Sequence, residues 1–129
     1  MWIYEQISGV LFNPAGQRER ALCYAGYERG KNNPKYEYEK GIGPLPHGDW
    51  TIAGPPIDTP THGPYVLRLR PKPGTDLNGR DGFLIHGDSR THPSTASHGC
   101  IVAPRARRAR IWNYGDRDLR VVSGLADSR

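Results

Sequence analysis

Phe83-Leu84-Ile85-His86-Gly87-Asp88 and, after a polar loop, Ser97-His98-Gly99-Cys100-Ile101-Val102 decide how this sequence reads. In each half an apolar run meets small and polar residues: the first run ends on His86 and the second starts from Cys100. Short apolar runs bounded by Gly, Pro and polar clusters read as strands. His86 is therefore placed at a strand end and Cys100 at the start of the next apolar segment. The loop from Asp88 to Ala96 is long enough to turn the chain back so that the two side chains meet. A cysteine is a useful nucleophile only as thiolate, and a nearby imidazole is the usual means of removing its proton. Gly99 gives the backbone freedom to present N–H groups near the sulfur, where they could hold the oxyanion of a tetrahedral intermediate. The competing reading is a core thiol, since cysteine is among the most buried residues. Ser97, His98 and Gly99 gathered at the cysteine, with a histidine closing the preceding strand, favour the active-site reading.

Outward from this stretch the chain reads as strands and turns. Trp2–Ile7 and Val10–Phe12 are predicted strands joined at Ser8-Gly9, and Asn13-Pro14-Ala15-Gly16 is a second turn. Glu19–Gly26 is predicted as a third strand closing a meander, with Cys23 pointing into the sheet in a structural role. Gly26–Gly43 lacks hydrophobic periodicity, and Tyr27, Tyr36 and Tyr38 stand among Lys31, Lys35 and Lys40. Such interleaving can mark a nucleic-acid face; a loop flanking a cleft, with tyrosines packed as covers, is the more ordinary explanation. In Gly43-Pro44-Leu45-Pro46-His47-Gly48-Asp49-Trp50-Thr51-Ile52 the prolines fix the approach, Gly48 permits a positive φ, and Trp50 and Ile52 alternate into the core. His47 reads as a turn residue lining the cleft. Pro55–Pro64 is predicted as a loop, Tyr65–Arg70 as a strand with Arg68 and Arg70 on its wet face, and Gly82–His86 as the central strand. Pro104 opens a helix over Arg105–Trp112, Asn113-Tyr114-Gly115 ends it, Asp118–Val122 is a final strand, and Gly124–Arg129 is a loose tail.

The 129 residues suit one domain, 1–129, large enough for a single core, and Gly 16 with Pro 12 favours a β-rich, turn-rich fold. Two cysteines rule out a disulfide framework. One Cys23–Cys100 bridge stays open, and it would contradict the nucleophile reading. The formal charge of +5 favours anionic partners. Met1-Trp2-Ile3-Tyr4-Glu5 has no basic region and no long apolar core, so no signal peptide is expected. Nothing approaches a transmembrane length, so no membrane insertion is expected.

The two halves of the opening stretch together resemble the catalytic segment of the L,D-transpeptidase (YkuD-type) family. In that family a histidine-glycine, here His86-Gly87, is followed after a loop by Ser/Thr-His-Gly-Cys, here Ser97-His98-Gly99-Cys100. Pro46, Gly48, Trp50 and Ile52 match the family's Pro-x-Gly-aromatic pattern, which begins a strand beside the catalytic one. Ala25-Gly26 through Asn33-Pro34 looks like the loop of a compact, effector-type branch. The resemblance covers about Trp2 to Val122. It implies a mainly β, L,D-transpeptidase-like sandwich or barrel with one short helix after the cysteine. It implies Cys100 as nucleophile, His86 as base, and the Gly87 carbonyl as the group orienting His86, with Asp88 a weaker substitute. It places oxyanion contacts at the N–H groups of Gly99 and Cys100, with His98 and Ser97 lining the pocket.

The implied chemistry is cofactor-free acyl transfer on peptidoglycan stem peptides through a thioester, resolved by water (L,D-carboxypeptidase) or an amine (L,D-transpeptidase or exchange). The implied setting is a monomeric antibacterial toxin, made in the bacterial cytoplasm and delivered by a route such as type VI secretion to the periplasm of a target cell. A cognate immunity protein would protect its producer. Two departures stand out: the interval from His86 to Ser97 is short, and Val102 stands where larger members often carry an arginine. Arg105 or Arg108 on the next helix is the candidate for the substrate carboxylate, with Arg107 on a different face. Two other function classes compete. One is a zinc peptidase using His86, His92 and His98, with Asp88 and Cys100 available. The other is a non-catalytic nucleic-acid module using Arg105, Arg107, Arg108 and Arg110, which no recognised binding motif supports.

Overall fold

Alternation along the strands decides the core. Trp2 and Tyr4, Trp50 and Ile52, Leu67 and Leu69, and Leu119 and Val121 each sit two apart and turn one strand face inward, where they meet Ile85 and Ile101. The computed structural model describes residues 1–20 and 22–124. Its strands are β1 (Trp2–Glu5), β2 (Leu11–Phe12), β3 (Tyr24–Ala25), β4 (Gly48–Thr59), β5 (Gly63–Pro71), β6 (Leu84–His86), β7 (Ile101–Val102) and β8 (Asp118–Val122), with helix α1 (Arg105–Tyr114) between β7 and β8. They form one eight-stranded sheet in the order β2-β1-β8-β4-β5-β6-β7-β3. The fold is mainly β, a sheet curled into a half-barrel. The curl brings its two ends together: the Cys23 N–H, at the entry to β3, donates to the Gly9 carbonyl of the β1–β2 turn at 2.8 Å.

Three expectations are corrected. The third strand closes no meander: only Tyr24–Ala25 is strand, and it pairs antiparallel with β7, far from β2 in the sheet order. Glu19 still meets β2, its N–H donating to the Leu11 carbonyl at 2.8 Å beside the Phe12–Arg18 bridge, while its buried carboxylate bonds to Asn13 and to Arg107 and Arg110 of α1; the pairing with β2 goes no further than this residue. Ala21, within the predicted strand, lies outside the described residues. Secondly, Pro55–Pro64 is not a loop. β4 runs on to Thr59, and its ladder with β5 absorbs the prolines by shifting register between Ala53 and Ile57. Thirdly, the strand that carries Trp50 is not beside the one that carries His86: β4 pairs with β8 and β5, and β5 separates it from β6.

Other readings match closely. Gly48 has φ +131°, which its missing Cβ permits. Trp50 and Ile52 are buried, the Trp50 Nε1–H is satisfied by the Pro46 carbonyl at 3.1 Å, and Trp50 meets Phe83 edge-on at 5.4 Å. Pro104 is extended and precedes the helix instead of forming its first residue, and Gly115 in the left-handed region ends it. Helix α1 packs on β5 and β6 and buries Ile111. Both cysteines are free. Of the predicted tail, Gly124 is buried and 125–129 lie outside the described residues. Among the described residues no helix is long and apolar enough to cross a membrane.

Candidate active site

Strands β6 and β7 are parallel neighbours, with Ile85 opposite Ile101 and His86 opposite Val102. This register puts Cys100 beside Leu84, two residues from His86, and residues two apart on a strand share a face. The Leu84 N–H donates to Cys100 Sγ at 3.3 Å. Cys100 and His86 line one cleft of about 280 Å³, together with His62, Arg80, Phe83 and His98. The sequence distance between cysteine and histidine is thus closed by sheet pairing, and the loop between them only returns the chain.

His86 is 2 % exposed, and its Nδ1 lies 2.8 Å from the carbonyl oxygen of Gly87. A carbonyl only accepts, so Nδ1 carries the proton and Nε2 keeps its lone pair. Burial pushes the His86 pKa below the ordinary histidine value; the Gly87 carbonyl opposes this, and His62 and Arg108 add to it. Burial likewise pushes the Cys100 thiol up, against the Leu84 N–H and the positive charge of Arg80, which favour the thiolate. Burial thus favours the uncharged form of both groups. Cys23 is different in kind: it is buried in the core and its thiol is pushed up to about 12.

The surroundings of the cysteine depart from expectation in two respects. Ser97 is fully buried and does not line a pocket; its Oγ donates to the Cys100 carbonyl and accepts the N–H groups of Gly99 and Gly26. The Gly99 N–H is therefore already bonded, at 3.1 Å, and is not held open for an oxyanion. Gly99 itself is required at φ +147°, and a Cβ there would collide with the Arg80 guanidinium. His98 lines the cleft: its Nδ1–H reaches the Gly41 carbonyl at 3.0 Å and its ring packs on Tyr27 at 4.9 Å. Lys40 and Gly41 complete that wall, so the tyrosine-rich loop does flank the cleft. Asp88 is turned away from His86 to Tyr24, Ser89 and Ser94. His47 bonds to Glu37 and lines a separate hollow near Arg120, not the cleft.

The arginines of α1 separate into three situations. Arg105 is exposed, with its guanidinium 5.2 Å from the Tyr65 ring centre, on the wall of a hollow that also contains His62, His86 and His98. Arg108 lines the same hollow but is buried, donating to the carbonyls of Ala103, Pro64 and Tyr65 and so tying the β5 entry to the helix. Arg107 and Arg110 both bind Glu19. Burial of Glu19 opposes its ionisation, and these partners outweigh that and hold its carboxyl below the usual range. The four arginines thus present no common basic face. His92 is exposed and bonded to Thr91 and Ser89, and among the described residues no three His, Cys, Asp or Glu side chains converge as a metal site requires.

Two cleft residues escaped the sequence reading. His62, at the tip of the β4–β5 hairpin, packs its ring 4.7 Å from that of His86. Arg80 lies under Gly99, 5.1 Å from the Phe83 ring centre. Both stand among turn-forming residues, Thr61-His62-Gly63 and Asn78-Gly79-Arg80-Asp81-Gly82, where charge ordinarily reads as solvated loop.

The profile of the Tlde1 domain matches residues 19–123. No curated protein matches the sequence. Among solved structures, that of Bd1075 from Bdellovibrio bacteriovorus is similar with a TM-score of 0.61 and 12 % identity, over 96 % of this chain and 48 % of that one. The likeness is one of fold, and the chain spans about half the length of that structure.

Proposed function

Because the chain belongs to the Tlde1 domain family of secreted bacterial effectors, we propose that it is a cysteine enzyme of L,D-transpeptidase type that acts on peptidoglycan stem peptides in a target cell. The observation that carries the reading is the His86–Gly87 hydrogen bond. It fixes the tautomer whose Nε2 can act as a base in the cleft that contains Cys100. The thiol proton passes to Nε2 as Sγ attacks a peptide carbonyl, and the same proton then goes to the departing amine. The resulting thioester is resolved by water or by an incoming amine. With the Gly99 N–H held by Ser97, the Cys100 N–H is the backbone donor left beside the reacting carbon for its oxyanion. Arg105 receives the substrate's terminal carboxylate, being an exposed cation on the helix side of the adjoining hollow, which Arg90 lines from the loop, while Arg108 keeps the wall in place. Delivery through a specialised secretion route and protection of the producer by an immunity protein belong to the same proposal.

Incubating purified protein with peptidoglycan fragments and reading the products by mass spectrometry tests it. Loss of terminal D-alanine, or its exchange for an added D-amino acid, is expected with wild type and Cys23→Ser and not with Cys100→Ala. Unchanged fragments with wild type, or full turnover by Cys100→Ala, would overturn the proposal.

A further inference from the structure

Arg80 is 5 % exposed, and its guanidinium is spent on four backbone carbonyls: Nη1 donates to Glu37 and Pro44, and Nη2 to Gly43 and His98. Among the described residues it forms no ion pair with a carboxylate. Glu37, whose negative charge also acts on Arg80, turns its carboxylate to the N–H and Nδ1 of His47. A buried cation without a carboxylate partner is costly and uncommon. This one sits directly under Gly99, where a Cβ would strike its Nη2, and shares the cleft wall with Cys100. Three of its carbonyls come from the 37–44 segment and the fourth from His98, so one side chain fastens the cleft's loop wall to the turn that presents the sulfur.

Resting on the reading of Cys100 as nucleophile, we propose that Arg80 is the positioning residue and the resident counter-charge of the Cys100 thiolate. The other ionisable groups lining the cleft are Lys40, His62, Asp81, His86 and His98. Of these His86 is the expected proton acceptor. Burial and the neighbouring His62 and Arg108 disfavour its protonated form, so it offers no permanent positive charge. Arg80 does, at every accessible pH. When the S–H bond breaks and the Nε2–H bond forms, the negative sulfur is left beside a guanidinium that needs no reorganisation to receive it.

The thiol pKa, read from the rate of iodoacetamide alkylation of Cys100 against pH with the labelled site identified by mass spectrometry, tests this without any turnover. It therefore separates failure here from failure of the enzymatic reading, which rests on product formation. In folded Arg80→Met the thiol pKa is expected to rise by about one unit, slowing alkylation at pH 7 roughly tenfold. Arg80→Lys, which keeps the charge, is expected to recover most of that. His86→Ala is expected to move the thiol pKa by less than about half a unit, since a neutral imidazole is no counter-charge. An unchanged thiol pKa in folded Arg80→Met, or a rise of a full unit or more in His86→Ala, overturns the proposal. If neither Arg80 variant folds, the His86→Ala profile alone decides.

Discussion

Ser97 Oγ donates to the carbonyl oxygen of Cys100 at 2.6 Å and accepts the Gly99 N–H at 3.1 Å and the Gly26 N–H at 2.9 Å. One buried hydroxyl thus sets the turn that carries Cys100 and ties it to the residue that follows β3. Ser97→Ala strands two N–H donors and one acceptor, at a cost of about 1–3 kcal/mol. It should lower the melting temperature by several degrees and reduce kcat more than it raises KM. Calorimetry with steady-state kinetics checks both; wild-type values for each would show that the brace is dispensable.

Gly99→Ala should be more damaging to activity than to folding. The residue stands at φ +147°, and an added methyl meets the Arg80 guanidinium and lies 2.9 Å from Phe83 Cε1. The strain is of order 1–3 kcal/mol, and the turn relieves it by moving the sulfur. A folded variant by circular dichroism with turnover reduced at least about a hundredfold is expected, since misplacing a reacting group by an ångström has that scale of effect.

The helix arginines should divide by partner. Arg105→Ala should raise KM about tenfold with little change in melting temperature, consistent with losing one charge-assisted hydrogen bond at an open site. Arg108→Ala should mainly destabilise, because the carbonyls of Ala103, Pro64 and Tyr65 lose their donor. Arg107→Ala, on a different face from the pair the sequence offers for the substrate carboxylate, should cost about 1–2 kcal/mol, since Glu19 is buried and keeps only Arg110 and Asn13. Thermal melts beside kinetics on the three variants distinguish these patterns.

Acid should weaken the protein before its carboxylates titrate. His86 has a folded pKa below its unfolded value because burial disfavours the imidazolium. The unfolded state therefore binds the proton first, and stability present above about pH 6.5 is lost as pH falls through the folded value. The carboxyls of Glu19, Asp49, Asp88 and Asp116, held low by their partners, add their own losses only below about pH 4. Denaturant melts between pH 7 and 5 should show the first loss, and His86→Gln should remove it. A variant with the same slope in that window would place the titration elsewhere.

The sequence by itself determined which stretches turn one face into the core and which residue types meet in the central stretch. Alternation at Trp50/Ile52 and Leu67/Leu69 marks faces whatever the partners are, because a strand has period two. Pro104 and Gly115 bound a helix for equally local reasons of backbone geometry. The pairing of His86 with the Gly87 carbonyl is local too, since the two residues are adjacent. What tertiary structure alone decided is which distant groups share a space. β3 pairs with β7 at the far edge instead of closing a meander, and buried Glu19 finds its arginines on α1, 88 and 91 residues away in sequence. Arg107 and Arg108, adjacent on one helix, became an ion-pair partner and a carbonyl clamp through what packs against each. Arg80 and His62 entered the cleft from turns whose composition promises only solvent. A charge in a loop carries no sign of what will cover it; in Arg80 the covering is four carbonyls, three from one segment and one from the turn before Cys100. Those contacts exist only once the sheet has curled and brought the two segments to the same wall.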